Sequence, residues 1–300
     1  MKIGLIGINS IEEEKKFELI QQTLKKNLYA LFSPHFEDMH IFAKKYNIKV
    51  YSSANNLFSD VDAIYFARSL KPNLDFAVHA LKRSCHLFME DISELSTDEL
   101  KYLYKLAFEA GVLLIIKGTI LFSPEFRLIS KEISCAKIVE LDYFYNRILR
   151  KKEFFYEVFE AVRAISALIQ SGIKRINTTP IKIDQNLISF VIILLEFDNG
   201  AIAKIKINNL TQENGKKIEV YETSDYFETD LNKQSVYKNS YIKGHAERKE
   251  LEVPKEDPFA LEIKDFIVQT KNVKNHYISE SPEMIQKIQA TQSILQKIYQ

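Results

Sequence analysis

Over the first 120 residues, short apolar runs alternate with segments of helical periodicity, and this alternation constrains the fold more than any other feature of the chain. Lys2 to Ile8 reads as a central strand. A helix is expected from about Ile11 to Lys26, with Phe17, Ile20 and Leu24 on one face. Leu28 to Phe32 is a second strand and Phe36 to Tyr46 a helix; Val50 and Tyr51 begin a short third strand. Ala63 to Ala67, Cys85 to Met89 and Val112 to Ile116 continue the strands, with helices expected over Asn73 to Lys82 and Ser96 to Ala110. The last of these carries a Ser96/Glu99 capping pair and Gly111 just beyond its end. Near-continuous apolar strands separated by helices require a parallel sheet covered on both faces.

The rhythm changes after Pro124. Lys137 to Tyr145 is a long strand and Phe154 to Ile169 a helix. Leu187 to Phe197, the Asp198-Asn199-Gly200 turn and Ala201 to Ile207 form a hairpin, and Lys216 to Tyr221 with shorter later segments extends an antiparallel sheet. Asp257-Pro258 and Ser281-Pro282 are helix starts, because aspartate or serine can cap and proline fits the first turn. The reading is α/β: a first domain over 1–120 and a second over 121–300.

Lys and Arg total 41 against 40 acidic residues, a net charge of +1, which argues against nucleic acid or an anionic membrane as partner. The longest apolar runs are far shorter than the roughly 20 residues that cross a bilayer. Cys85 and Cys135 have neither metal-ligand nor disulfide-scaffold spacing, so a reducing, cytoplasmic setting is expected, and no histidine joins a metal-binding cluster.

The segments IGLIGINS, VDAIYFARSLKPNLDFAVHALKRSCHLFMED, IIKGTILFSPEF, LLEFDNGAIAKI and EIKDFIVQT, in that order and spacing, resemble the Gfo/Idh/MocA family of two-domain oxidoreductases. The resemblance implies an amino-terminal Rossmann-like domain and an α+β carboxy-terminal domain with a large open antiparallel or mixed sheet. It also implies NAD or NADP as cofactor, a sugar, cyclitol or related substrate, and homo-oligomers formed through the second sheet.

Against that pattern the site residues depart. The dinucleotide fingerprint G-x-G-x-x-G falls on Gly7, Asn9 and Glu12, so only the first glycine remains. Ser10 and Glu13 have capping-box spacing, which commits helix amides that a diphosphate needs, and Glu12, Glu13 and Glu14 add negative charge there. At the end of the second strand Ser33 stands where the family often has an acidic ribose ligand, with His35 as a candidate phosphate contact. Candidate cofactor contacts are therefore Gly7, Asn9, Ser10, Ser33 and His35.

The family's E-K-P segment corresponds to Glu90-Asp91-Ile92, so an aspartate replaces the lysine. Its D-x-x-x-H helix corresponds to Glu157 and Ala161, so an alanine replaces the histidine; another registration brings in Glu160 or Arg163. His86 reads as a packed, locally bonded side chain. Glu90, Asp91, Lys117 and Glu157 are the candidate acid–base or substrate-contact groups.

Two functions follow. One is a divergent member without the standard hydride transfer, with a metabolite-binding or structural role and no assured cofactor. The other is an NAD(P)-dependent oxidoreductase with non-standard catalytic residues.

Overall fold

The computed structural model describes residues 1–8, 13–33, 39–69, 74–271 and 280–300. They divide into two units, Met1–Lys117 with Phe259–Ile285, and Gly118–Pro258 with Gln286–Gln300.

In the first unit all four residues of β1 (Ile3–Ile6) are buried, as a strand covered on both faces requires. It pairs in parallel with β2 (Leu28–Phe32) on one side and β4 (Ala63–Ser69) on the other. With β3 (Lys49–Val50), β5 (His86–Asp91) and β6 (Leu114–Ile116) the sheet has six parallel strands, in the order β3-β2-β1-β4-β5-β6. The strand order reverses direction between β1 and β4. The helices are α1 (Glu14–Leu24), α2 (Met39–Tyr46), α3 (Ala54–Asp60), α4 (Leu74–Lys82) and α5 (Thr97–Ala110). Helix α5 has the expected reciprocal Ser96/Glu99 capping box, and Gly111 takes the left-handed conformation at its end.

Phe17, Ile20 and Leu24 of α1 are the buried face, as their spacing predicts. They join a core with Leu5, Tyr65 and Phe88 of the sheet, and with Phe259, Ile263 and Phe266 from α8 (Pro258–Gln269). The sequence expectation of a second domain running unbroken from 121 to 300 differs from this arrangement. The apolar face of α8 belongs to the first unit's core, so the chain returns to it.

The second unit is an eight-stranded mixed sheet, in the order β14-β13-β12-β11-β7-β10-β9-β8. Its strands are β7 (Ile138–Phe144), β8 (Ile173–Lys182), β9 (Ile188–Phe197), β10 (Ile202–Asn208), β11 (Gly215–Tyr221), β12 (Asp225–Asp230), β13 (Ser235–Ile242) and β14 (His245–Leu251). Neighbours are antiparallel except β7 and β10, which run parallel. One face packs on α6 (Pro124–Glu132), on α7 (Lys151–Ile169), and on Ile294 and Ile298 of α9 (Glu280–Tyr299). The expected hairpin at Asp198–Gly200 joins β9 to β10. The shorter strands expected after Lys216 to Tyr221 are β12, β13 and β14, while helices α3 and α6 and strand β8 are additions to the sequence reading.

Candidate functional site

The carboxyl ends of a parallel sheet, beside the point where strand order reverses, are where open α/β folds bind ligands. Among the described residues, that edge holds Gly7 after β1, the last residues of β4 and β5, and Lys117 after β6. Gly7 follows β1 with φ of 109°, a conformation that glycine adopts without the steric penalty of a side chain. The first position of the fingerprint is thus a glycine for a backbone reason. Asn9, Ser10, Glu12 and His35 lie outside the described residues, so the proposed Ser10 capping box does too. Glu13 occupies the N-cap position of α1, without a side-chain capping bond. Ser33, the candidate ribose contact at the end of β2, is buried, with 9% of its surface exposed.

Glu90 is the centre of the edge. It is the penultimate residue of β5, its side chain is 12% exposed, and its carboxylate is held from three sides. Lys16 of α1 pairs with Oε2 at 2.6 Å, Lys117 lies 3.4 Å from Oε1, and the Tyr65 hydroxyl donates to Oε1. Lys16 also donates to the Ala67 carbonyl near the end of β4. Tyr65 stacks on Phe88 with centroids 5.0 Å apart, wholly inside the core. Burial first, then the Glu90 charge and hydrogen bond, raise its phenol well above the ordinary value, with a smaller push from Glu262; it stays a neutral donor. The Lys117 ammonium sits 4.8 Å from the Phe259 ring centroid, and its backbone amide donates to the Met89 carbonyl at 2.9 Å.

Asp91, next to Glu90, points its chemistry elsewhere. Its Oδ1 accepts from the Ser93 amide at 2.9 Å and the Ser93 hydroxyl at 2.7 Å, an aspartate turn that shapes the loop after β5. His86 at the other end of β5 accepts the Leu113 amide on Nδ1 at 3.0 Å, and burial lowers its pKa. It is the packed, locally bonded histidine that its sequence context suggests. Cys85 is buried as well, and burial pushes its thiol up to about 11, far from nucleophilic.

Glu157, the fourth candidate, belongs to the second unit. It projects from α7 and pairs with Lys216 of β11 at 2.5 Å. The Lys216 ammonium lies 4.8 Å from the ring centroid of Tyr143, a fully buried residue of β7. Burial, then Glu157 and Glu160, raise the Tyr143 phenol well above its ordinary value; burial and Glu157 do the same to Tyr145. One turn on, Glu160 accepts the Ile120 amide at 2.9 Å, and burial raises its carboxyl pKa against the opposing pull of Arg163 and Lys216. Ala161, which the sequence resemblance sets against the family's histidine, is fully buried in the core. Arg163 lies flat against Gly118: a Cβ there would come within 1.9 Å of the guanidinium Nη1, so that position admits only glycine without a shift of the arginine.

The structure therefore joins Glu90 and Lys117, turns Asp91 into a loop, and pairs Glu157 with a lysine of its own unit. Sequence reasoning missed Lys16, Tyr65 and Lys216. Lys16 looks like an ordinary solvated lysine in a charged first turn, and Tyr65 like a strand core residue. Only the three-dimensional meeting of α1, β4 and β5 gives them a polar role. Among the described residues no group of three or more His, Cys, Asp or Glu side chains could hold a metal ion. Nor is any described helix long and apolar enough to cross a membrane.

A parallel sheet in this strand order, followed by a large mixed sheet faced by helices, defines the chain as a two-domain protein with an amino-terminal Rossmann-like sheet. Residues 1–117 match the Gfo/Idh/MocA family, described as an oxidoreductase family with an NAD-binding Rossmann fold, and the amino-terminal domain is of that family. No curated protein matches the sequence. Among solved structures, the chain resembles UDP-N-acetylglucosamine 3-dehydrogenase GnnA from Acidithiobacillus ferrooxidans at 14% identity and TM-score 0.86, over 100% of this chain and 98% of that one. It also resembles the dehydrogenase MviM from Clostridium difficile at 13% identity and TM-score 0.80, over 99% of each chain. A third similar structure is the 3-ketoreductase KijD10 from Actinomadura kijaniata, in complex with NADP and TDP-benzene, at 14% identity and TM-score 0.76, over 99% of this chain and 97% of that one.

The Rossmann fold supports a general capacity for NAD(P). The described side chains at its edge are engaged with one another. Glu90 is committed to three donors, the Lys16 arm reaches across the ends of β4 and β5, and Ser33 is buried.

Proposed function

We propose that this chain is a divergent Gfo/Idh/MocA protein without the standard hydride-transfer chemistry, and that it serves as a metabolite-binding or structural protein. The observation that carries the reading is the state of the two positions from which such chemistry needs a proton-handling side chain. Position 91 is an aspartate engaged with Ser93, and position 161 is a buried alanine. An alanine transfers no proton, and an anionic turn residue supplies none of the three donors of a lysine. A second copy of the chain is the expected partner, through the open face of the second sheet. Leu194 and Ile202 on that face are 39% and 44% exposed, which supports this reading. The expected setting is cytoplasmic.

The second reading, an NAD(P)-dependent oxidoreductase of sugars, cyclitols or related compounds with relocated groups, is favoured by one observation. Lys117 brings an ammonium to within 3.4 Å of Glu90, on the strand beside the one where the family's lysine stands. The solved relatives named as a UDP-N-acetylglucosamine dehydrogenase and a 3-ketoreductase make nucleotide-linked sugars the first substrates to try. The two readings separate in an assay of the purified protein with NAD or NADP and a panel of sugars, cyclitols and nucleotide sugars, following reduced nicotinamide. No turnover is expected. Sustained turnover that disappears in Lys117→Ala establishes the second reading in place of the first.

A further inference from the structure

We propose that Lys16 is a built-in occupant of the ligand crevice, and that its side chain holds down the affinity of the first unit for adenine dinucleotides. The inference concerns binding alone and takes from the proposed function only the location of the crevice.

Strand order fixes that location at the reversal between β1 and β4, outside the carboxyl ends of the strands. Lys16 starts from α1, the helix after β1. Its ammonium ends beyond β4, donating to the Ala67 carbonyl, and pairs with Glu90 at the end of β5 at 2.6 Å. The alkyl arm consequently spans the edge from the helix after β1 to the strand two places along. A dinucleotide laid along these strand ends meets the arm and must move it.

Displacement is chemically feasible because Glu90 does not depend on Lys16 alone. When the arm leaves, the carboxylate keeps the Tyr65 hydroxyl and the Lys117 ammonium. The loss is one ion pair, its lysine side chain 36% and its glutamate side chain 12% exposed, and one hydrogen bond to a carbonyl. A pair of this kind changes an equilibrium by about fivefold, roughly 1 kcal/mol. Lys16 thus acts as a competitor tethered within the site, and the fold's capacity for NAD(P) is weakened without being abolished. The opposite role, a cation that receives the diphosphate, predicts the opposite sign on removal.

The test is a titration of NADH into wild-type protein, Lys16→Ala and Lys16→Arg, with thermal melts to verify that all three fold. Alanine favours a helix, so Lys16→Ala is expected to fold like the wild type. Lys16→Ala should bind NADH at least about fivefold more tightly, the worth of the released pair, while Lys16→Arg, which keeps the cation, stays with the wild type. Equal or weaker binding by Lys16→Ala overturns the proposal, as does the absence of measurable binding in all three proteins. Micromolar binding by the wild type instead counts against the proposed function, whatever the ratio between variants says about Lys16.

Discussion

At position 86 the imidazole Nδ1 accepts the Leu113 amide, a bond available only to a ring without a proton on that nitrogen. Burial lowers the folded-state pKa, so the neutral ring is the one the fold stabilises. An unfolded histidine titrates near about 6.5. Above that value neither state is protonated and the contribution is intact; as pH falls below it the unfolded chain takes up the proton first, and stability is lost down through the folded-state pKa. Carboxylates also titrate toward low pH, so the informative quantity is a difference between proteins. His86→Gln keeps an acceptor for Leu113 without a titrating ring. Urea unfolding between neutral and mildly acidic pH should show a smaller loss of stability in the variant than in the wild type, and an identical loss in both contradicts this account. The packed role of His86 was legible because Cys85-His86-Leu87-Phe88 places it within an apolar strand. The roles of Glu90 and Lys117 were partly legible as chemistry-bearing residues at strand ends. Their partner Lys16 was not, since nothing local relates a helix lysine to a carboxylate two strands away.

Helix α8 follows the second sheet in sequence but completes the first unit's core. Phe266 is 1% exposed, with its ring centroid 5.4 Å from that of Phe88. Removing so large a buried ring costs about 3–5 kcal/mol. Phe266→Ala should therefore lower amide-exchange protection along β4 and β5, while strands β9 and β10 of the second sheet keep theirs. Unchanged protection in β5 together with loss in β9 would contradict the assignment of α8. Elements whose signals are local were readable from sequence: the capped α5, the β9–β10 hairpin and the Asp257-Pro258 start of α8. Strand β8 was not, because it is an edge strand paired only with β9. Its polar residues Lys174, Arg175, Asn177 and Thr179, with Pro180, erase the apolar alternation that marks a strand, and edges tolerate such residues. Strand β14, exposed along nearly its whole length at the other edge, is hidden for the same reason.

At the scale of the whole chain the backbone has the architecture of the solved dehydrogenases, while the contacts along its strand edge are this chain's own. The sheet orders, the returning helix and the likeness to solved dehydrogenases over nearly their full length all concern backbone. Backbone pattern survives at 13–14% identity because apolar periodicity and turn residues suffice to specify it. Function depends on single positions: at 91 the carboxylate accepts from Ser93, and at 161 a buried alanine transfers no proton. The edge that those strands build is filled by the chain's own contacts, with Glu90 held by Lys16, Lys117 and Tyr65. Calorimetric titration of the purified wild-type protein with NADH and NADPH tests this most directly. The account predicts binding no tighter than roughly millimolar, and micromolar binding of either nucleotide contradicts it.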